Sequence, residues 1–325
     1  MSDTGTFRQV IQADGLLLLT AIIWGIAFVA QRSGMAVIGP FAFSAARFAL
    51  GTLVLLPLLI LGKRRPAPAP DPAAGPGLAA GPRLAWAALA GLVLFTAANL
   101  QQIGMVHTTA GNSGFITCLY VILVPLAGLC SGRRPGARIW IGCGFALTGL
   151  YCLCIGSGFT LAPGDGLELL GAFFWAGHIL VINRLANRME ALEIAVVQFA
   201  VCSLLSLAAA LLWEPAPFRG LVPAAIPILY GGLLSIGVAF TLQIVAQKTA
   251  HPAHASIILS MEGLFAGIGG VVLLKEPLTL RLVVGGTLML TGMIWSQLQP
   301  RRSRSIQVQA AAGPEEQPLA EPIRP

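Results

Sequence analysis

The sequence predicts an all-α polytopic membrane protein with ten transmembrane helices, arranged as two inverted five-helix repeats. Three observations predict this fold. The composition is that of a chain immersed in lipid, the basic residues lie mainly on one side of the predicted spans, and the first half of the sequence is similar to the second.

Most of the chain is too apolar for a soluble protein. Hydrophobic residues make up 56% of the 325 residues, charged residues only 10%, and the mean hydropathy is +0.81. Soluble domains usually carry about 25% charged residues. A helix that crosses the hydrocarbon core needs roughly 20 mainly apolar residues. Ten stretches meet this requirement, at residues 14–33, 40–62, 84–106, 109–131, 138–157, 166–186, 191–213, 222–247, 253–274 and 279–298.

Three segments outside the spans are polar or rich in proline. Residues 1–13 form a short N-terminal tail, residues 63–83 a loop of Pro, Ala and Gly, and residues 301–325 a polar tail that we expect to be disordered. The first apolar run is too long for the apolar region of a cleavable signal peptide.

The positions of the basic residues predict the orientation of the spans. With the N-terminus placed inside, 15 of the 20 Lys and Arg residues lie in cytoplasmic segments, four lie outside, and Arg47 falls within a span. Cytoplasmic loops carry an excess of Lys and Arg, so this bias favours ten spans with both termini in the cytoplasm. The net charge of +7 therefore indicates membrane orientation rather than nucleic-acid binding.

The two halves of the chain are similar. LLLLTAIIWGIAFVAQRS at residues 16–33 aligns without a gap to LELLGAFFWAGHILVINR at residues 167–184, which places Trp24 on Trp175. Further matches pair TTAGNSGFITCLY with KTAHPAHASIILS, and GCGFALTG with GGTLMLTG. We expect one repeat at 14–158 and a second at 164–300. Because each contains five spans, the second enters the membrane from the opposite side, an arrangement typical of secondary transporters.

These features together resemble the EamA-type branch of the drug/metabolite transporter superfamily. The resemblance rests on the repeats, on a mid-span Trp in spans one and six, and on the stretch TTAGNSGFITCLYVILVPLAG, and it covers about residues 14–300. It implies a ten-helix fold, a central cavity between the halves, and transport of small organic metabolites, often as an exporter. Two positions depart from the family pattern: Gly263 follows Glu262 where Pro is frequent, and Arg133 follows Gly132 where Glu is frequent.

We therefore expect a secondary-active or facilitative transporter of the inner membrane that works by alternating access. Its partners would be the lipid bilayer, a small-molecule substrate such as an amino acid, and protons as a candidate coupling ion. The non-enzymatic alternative is a membrane scaffold that does not transport a solute. The sequence has no Walker loop, dinucleotide fingerprint, HExxH motif or aspartyl dyad. We thus expect no cofactor, no metal and no catalytic residue, with transport driven by a gradient.

An intramembrane serine protease is the enzymatic alternative, because Ser113 lies between Gly111-Asn112 and Gly114. Such a protease would pair the serine with a histidine on another span. The histidines of span nine, His251 and His254, fall near its cytoplasmic end, whereas Ser113 falls near the outer end of span four. Small residues also let helices approach closely in lipid, so we interpret this stretch as a packing surface.

Two charged residues fall deep inside the spans rather than near their ends, Arg47 and Glu262. A charge at membrane depth is costly and should face a partner or a wet cavity. Glu262 is predicted to bind a substrate amine, to carry protons, or to anchor the bundle. Arg47 is predicted to bind a carboxylate or to pair with Glu262.

Aromatic and uncharged polar residues complete the predicted substrate pathway. Interfacial tryptophans usually lie at span ends, so Trp24 and Trp175, in mid-span, either form platforms for an apolar substrate or pack in the core. His178 lies on the same helical face as Trp175 and is either functional or a hydrogen-bonded core residue. The remaining uncharged polar candidates either face the cavity or fasten helix to helix: Asn99, Gln102, Gln198 and Gln243. Asn112, in the packing stretch of span four, is expected to reach the outer vestibule.

Overall fold

The computed structural model of the chain describes residues 3–62, 80–107, 110–130, 132, 135–154, 163–273 and 278–297. Within these residues the secondary structure is helical throughout, without strands. The first half contains α1 (Asp3–Met35), α2 (Pro40–Gly62), α3 (Ala80–His107), α4 (Ala110–Thr117), α5 (Tyr120–Cys130) and α6 (Ala137–Cys154). The second half contains α7 (Asp165–Leu185), α8 (Ala191–Trp213), α9 (Ala225–Leu229), a π-helix (Tyr230–Phe240), α10 (Thr241–Ala246), α11 (Pro252–Leu259), α12 (Glu262–Leu273) and α13 (Leu280–Gln297).

Six of these helical stretches are long and apolar enough to cross a membrane: Arg8–Met35, Pro40–Gly62, Gly81–His107, Asp165–Leu185, Ala191–Trp213 and Ala225–Ala246. They coincide with six of the ten predicted spans. The other four predicted spans correspond to shorter or interrupted apolar helices in the described part of the chain, so ten crossings stay a prediction. The predicted tail 301–325 and most of the loop 63–83 lie outside the described residues.

The helices in the predicted spans 109–131 and 253–274 are each interrupted near the middle of the span. In the first, Leu119 bonds to the carbonyl of Ile116 and Val121 to that of Cys118, at 3.1 and 3.0 Å, which is the tighter i to i−3 pattern. The second interruption follows the same pattern at Met261 and Gly263. In the alignment of the two halves, the two breaks lie about two residues apart.

Side chains explain part of this irregular backbone. The hydroxyl of Ser260 donates to the carbonyl of Ile257 at 2.8 Å, and serine back-bonding of this kind bends helices. Pro125 has no N–H to offer the carbonyl of Val121, which instead accepts from the Cys143 thiol at 3.3 Å. The proline is thus accommodated inside α5, and the break lies before it.

The helices of the two halves pack in equivalent pairs. α2 packs against α8, and α6 against α13, each pairing a span with its counterpart in the other half. α3 packs on α7 as the π-helix packs on α1, and α4 with α5 packs on α7 as α12 packs on α1. Each of these helix contacts therefore has an equivalent contact when the helices of the first half are replaced by their counterparts in the second.

Glycine permits the close contact between α6 and α13. A Cβ added to Gly149 would lie 2.5 Å from the carbonyl oxygen of Gly285, and one added to Gly292 would lie 2.7 Å from that of Gly142. Small residues at helix interfaces let backbones approach in this way. The two segments that align in the sequence, GCGFALTG and GGTLMLTG, are thus packed on each other.

A carboxylate from the second half caps the start of α2. The Glu214 carboxylate accepts from the backbone N–H of Phe41 at 2.8 Å and of Ala42 at 3.2 Å. These N–H groups have no partner within the helix, and a negative charge is favourable at its N-terminus. Burial raises the pKa of Glu214 above its ordinary value, while the two backbone donors act in the opposite direction. The loop after α8 is thereby fastened to the loop before α2.

Candidate functional site

A small cavity of about 40 Å³ lies between the two halves. Both halves contribute to the wall, which is mostly apolar and aromatic with a few polar groups. The lining residues are Trp24, Phe28, Gln31, Arg47, Gln101, Thr117, Tyr120, Trp175, Ile179, Ser235, Phe240, Gln243, Leu259 and Glu262.

Glu262 lies where the two helix breaks meet. It is the first residue of α12 and is 5% exposed. Its carboxylate accepts a hydrogen bond from the Tyr120 hydroxyl at 2.9 Å and from the Cys118 thiol at 3.5 Å. The same thiol lies 3.7 Å from the carbonyl oxygen of Ser260. The interruption of one helix thus supplies the donors, and the interruption of the other presents the carboxylate to the cavity.

Arg47 carries the positive charge of the cavity wall. It is 3% exposed, and its Nη1 donates to Gln31 Oε1 at 3.1 Å. Its guanidinium lies over the rings of Phe43 and Phe48, at 5.4 and 5.1 Å from their centroids. No carboxylate of the described residues forms a salt bridge with Arg47, so the structure does not contain the alternative pairing with Glu262.

Aromatic rings form one wall of the cavity around Phe240, the last residue of the π-helix. Its ring centroid lies 4.6 Å from that of Trp24 and 6.1 Å from that of Trp175, the latter at an interplanar angle of 22°. Trp24 Nε1 donates to the Ser235 carbonyl at 3.2 Å. Trp175 Nε1 has no hydrogen-bond partner among the described residues. π-Helical segments are rare and are often found at functional sites.

Gln243 is a polar residue of the wall whose side chain makes no hydrogen bond with the described residues. Its side chain is fully buried, and neither its amide nitrogen nor its amide oxygen has a hydrogen-bond partner in the described residues. A buried polar group is costly unless it is hydrogen-bonded. A ligand in the cavity could use both the donor and the acceptor.

Five of the ten predicted pathway residues line this cavity: Trp24, Arg47, Trp175, Gln243 and Glu262. Four others are buried but do not belong to its lining: Asn99, Gln102, His178 and Gln198. The side chain of Asn112 lies outside the described residues. For all ten, a role in the substrate pathway stays a prediction.

The four buried residues that do not line the cavity join helices instead. Asn99 donates to Ser206 Oγ at 2.9 Å, from α3 to α8. His178 Nε2 and Gln198 Oε1 lie 2.9 Å apart and connect α7 with α8. Gln102 donates to the same Gln31 oxygen that accepts from Arg47. Gln31 lines the cavity, so Gln102 contacts the cavity wall indirectly through this hydrogen bond.

Ser113 is engaged by a carboxylate and not by a histidine. Its hydroxyl donates to Glu168 Oε1 at 2.7 Å. His254 Nε2 lies 3.0 Å from Asp14 Oδ1, and its Nδ1 lies 3.1 Å from Ser296 Oγ. The arrangement required by the protease alternative is therefore absent from the described residues, although Ser113 does more than permit close packing.

The sequence reasoning missed Glu168 and nine residues of the cavity wall: Phe28, Gln31, Gln101, Thr117, Tyr120, Ile179, Ser235, Phe240 and Leu259. Glu262 was the only acidic residue predicted to lie deep in a span, whereas Glu168 is fully buried as well. Glu168 lies in the first turn of α7, a place where an acidic residue usually indicates a solvated helix start. The pairing of Ser113 with Glu168 spans 55 residues, so no local pattern could have revealed it.

The sequence model of the EamA-like transporter family matches residues 12–155 and again residues 162–297. The chain belongs to the EamA-like transporter family. The two matched stretches fall on the two halves that align with each other in the sequence. Membership of this family makes the protein a multi-pass membrane transporter.

Two relatives from Archaeoglobus fulgidus, each named an uncharacterized transporter, are similar to this chain. The first is 29% identical over 283 residues, which are 87% of this chain and 84% of the relative. The second is 24% identical over 288 residues, which are 86% of this chain and 94% of the relative. A solved structure titled "Crystal structure of protein" has the same fold, with a TM-score of 0.72 at 18% sequence identity. The superposition covers 90% of this chain and 98% of the chain in that structure.

Proposed function

We propose that this EamA-like transporter exports amino acids with apolar side chains, or closely similar zwitterionic solutes, by alternating access through the central cavity. The observation that carries the proposal is a cavity with one cationic and one acidic group that are not paired with each other. Arg47 and Glu262 both line this cavity, and between them the wall is largely aromatic.

The two charges suit the two ends of a zwitterion. A guanidinium binds a carboxylate through charge-assisted hydrogen bonds, and a carboxylate binds an ammonium in the same way. Among the described lining residues, Arg47 is the only basic one and Glu262 the only acidic one. Phosphorylated sugars would require several basic residues, so this wall favours a solute with one charge of each sign.

The rest of the wall suits an apolar side chain. Trp24, Trp175 and Phe240 present rings, and Ile179 and Leu259 present aliphatic groups. Burial of apolar surface contributes about 25 cal/mol per Å². Gln243 offers one unused donor and one unused acceptor. Such a site selects solutes by size and apolar character more than by a pattern of hydroxyl groups.

The repeats support alternating access. Transporters with inverted repeats place the substrate at the interface of the repeats, next to discontinuous helices. Here the interruptions after Thr117 and after Leu259 both border the cavity, and helix contacts in one half have counterparts in the other. Exchange of the two conformations would open the cavity to the opposite side. The excess of basic residues in one set of loops supports cytoplasmic termini and an inner-membrane location.

A flux measurement tests the proposal. Purified protein in liposomes would be loaded with one radiolabelled amino acid at a time, and efflux compared with that from protein-free liposomes. We expect flux of leucine or phenylalanine that exceeds flux of aspartate or lysine, because a second charge has no partner in the cavity. Absence of amino-acid flux from folded, correctly inserted protein would overturn the proposal and favour the scaffold alternative.

A further inference from the structure

A second buried carboxyl group, Glu168, lies outside the cavity lining. It belongs to α7 and is fully buried. Its Oε1 accepts from the Ser113 hydroxyl at 2.7 Å, and its Oε2 accepts from the Thr117 hydroxyl at 3.1 Å. Both hydroxyls come from α4, in the first half of the chain, whereas Glu168 belongs to the second. The carboxyl group therefore joins the two halves.

No cation compensates Glu168 in the described part of the chain. Among the described residues, no Lys, Arg or His side chain lies within salt-bridge distance of Glu168, and Arg32 donates to the Met105 carbonyl at 2.8 Å. Asp165, one turn earlier on α7, is an acidic neighbour and adds negative charge. An ionised carboxylate in an apolar interior is costly without a positive partner, and a proton removes that cost.

The helices packed against α7 supply no such partner either. These are α3, α4, α5 and α11, and α4 contains no ionisable residue. On α3, Arg83 lies near the opposite end of the helix and His107 is exposed. On α5, Tyr120 is bonded to Glu262, and Cys130 is exposed at the far end. On α11, the ionisable residue is the histidine that pairs with Asp14.

The two hydroxyl partners fit either protonation state of Glu168. A hydroxyl group has one donor and two acceptor sites. Both can donate to the ionised carboxylate, and one can rotate to accept when the carboxyl group carries a proton. A guanidinium or ammonium partner could only donate and would hold the group ionised. The cluster is thus compatible with repeated gain and loss of a proton.

A polar path leads from Glu168 to the cavity. Thr117 Oγ1, which donates to Glu168, accepts from Gln101 Nε2 at 3.1 Å. Thr117 and Gln101 both line the cavity, whereas Glu168 does not. A change at the carboxyl group can therefore reach the substrate wall through one hydroxyl without direct contact between Glu168 and the substrate.

We propose that Glu168 is the proton-binding site that couples substrate transport to a proton gradient. This inference rests on the proposed transport function. Protonation forms one O–H bond at the Glu168 carboxylate, and release to the other side of the membrane breaks it, so one proton crosses in each cycle. Glu262 remains free to hold the substrate amine, because proton and substrate occupy separate carboxyl groups.

The variant Glu168→Gln separates coupling from structure. The amide retains the size of the side chain and an oxygen acceptor, but it cannot carry a proton through the cycle. In liposomes we expect exchange of leucine to persist, while accumulation driven by an imposed pH gradient falls at least about 10-fold, equivalent to about 1.4 kcal/mol. Proton movement on addition of leucine, read with a trapped pH-sensitive dye, should vanish. A pH-gradient response like that of the wild type would overturn the proposal.

Glu190→Gln is the matched control, because Glu190 is an exposed carboxylate that makes no capping hydrogen bond with its side chain. It should leave both accumulation and proton movement unchanged. Loss of coupling in this control as well would overturn the assignment to Glu168.

An infrared titration of the purified protein distinguishes failure of this inference from failure of the transport proposal. The wild type should show a protonated carboxyl band that disappears as the pH is raised and that Glu168→Gln removes, whether or not leucine is a substrate. If Glu168→Gln does not fold, Ser113→Ala takes its place, since alanine is also small. Removal of one donor to the carboxylate should shift the disappearance of the band toward alkaline pH. A wild-type titration without such a band, or a band that Ser113→Ala does not shift, would overturn the proposal.

Discussion

The Tyr120 hydroxyl donates a 2.9 Å hydrogen bond to Glu262 across the meeting point of two interrupted helices. One residue begins α5 and the other begins α12, so each lies just after the interruption of its own helix. This bond connects the halves of the chain at the cavity wall. It also orients the Glu262 carboxylate, so a substitution at either residue should change the affinity for the substrate.

Tyr120→Phe tests this connection. The ring keeps its packing, but the donor to the Glu262 carboxylate is lost, and a hydrogen bond to a charged group contributes about 1.5–3 kcal/mol. We expect the apparent affinity for leucine to fall at least about 10-fold, with the thermal midpoint lowered only slightly. Binding would be measured by scintillation proximity on purified protein. Unchanged affinity would show that the Glu262 carboxylate does not need Tyr120 for its orientation.

Cysteine labelling tests the direction of the spans. Glu190 and Arg219 lie at the two ends of α8, and both are exposed. In a background without native cysteines, we expect Glu190→Cys to react with a membrane-impermeant maleimide only from the cytoplasmic side, and Arg219→Cys only from the other side. The charge bias of the loops predicts this assignment. Reaction of both from one side would contradict the crossing of α8, and reversed sides would contradict cytoplasmic termini.

Two glycines of α6 form a matched pair for the close contact with α13. A Cβ at Gly149 would meet the Gly285 carbonyl oxygen at 2.5 Å, whereas a Cβ at Gly144 would meet no atom within 4 Å. Overpacking usually costs about 1–3 kcal/mol. Gly149→Ala should lower the thermal unfolding midpoint in detergent, and Gly144→Ala should leave it unchanged or raise it slightly. Equal unfolding midpoints for the two variants would mean that α6 and α13 can move apart to accept a methyl group at residue 149 without loss of stability.

The cap on α2 gives a prediction on stability and its pH dependence. Glu214→Ala removes the acceptor of two backbone N–H groups and should cost about 1 kcal/mol. Burial raises the pKa of Glu214 in the folded protein, so the folded state binds this proton more tightly than the unfolded state. The contribution of Glu214 to stability should therefore increase as the pH falls through that raised pKa toward the ordinary pKa of a glutamate. The difference in unfolding midpoint between wild type and Glu214→Gln, measured across pH, reports it. A difference that shrinks on acidification would contradict this sign.

The sequence predicted most helix positions because hydrophobic length and basic flanks are local properties. It did not predict the interruptions at residues 118–119 and 260–261, since an apolar stretch has the same composition whether or not its helix is continuous. Glu262 and Arg47 could be identified from the sequence as candidate site residues, because a charged side chain at membrane depth is energetically costly. Glu168 could not, because its burial arises from contact with a helix more than 50 residues away.

Substrate analogues provide the sharpest test of the two cavity charges. Leucine amide retains the ammonium and lacks the carboxylate, whereas N-acetyl-leucine retains the carboxylate and lacks the ammonium. The wild type should bind each at least about 30-fold more weakly than leucine, because loss of a buried charged partner costs about 2 kcal/mol or more. In Arg47→Gln the penalty on the amide should disappear while the penalty on the N-acetyl compound remains, and Glu262→Gln should show the reverse pattern. This crossed response isolates each pair from general effects of the substitution on the cavity. Arg188→Gln, at an exposed loop position, is the control and should discriminate like the wild type. If both variants weakened both analogues to the same extent, the charges would shape the cavity without binding the two ends of the substrate.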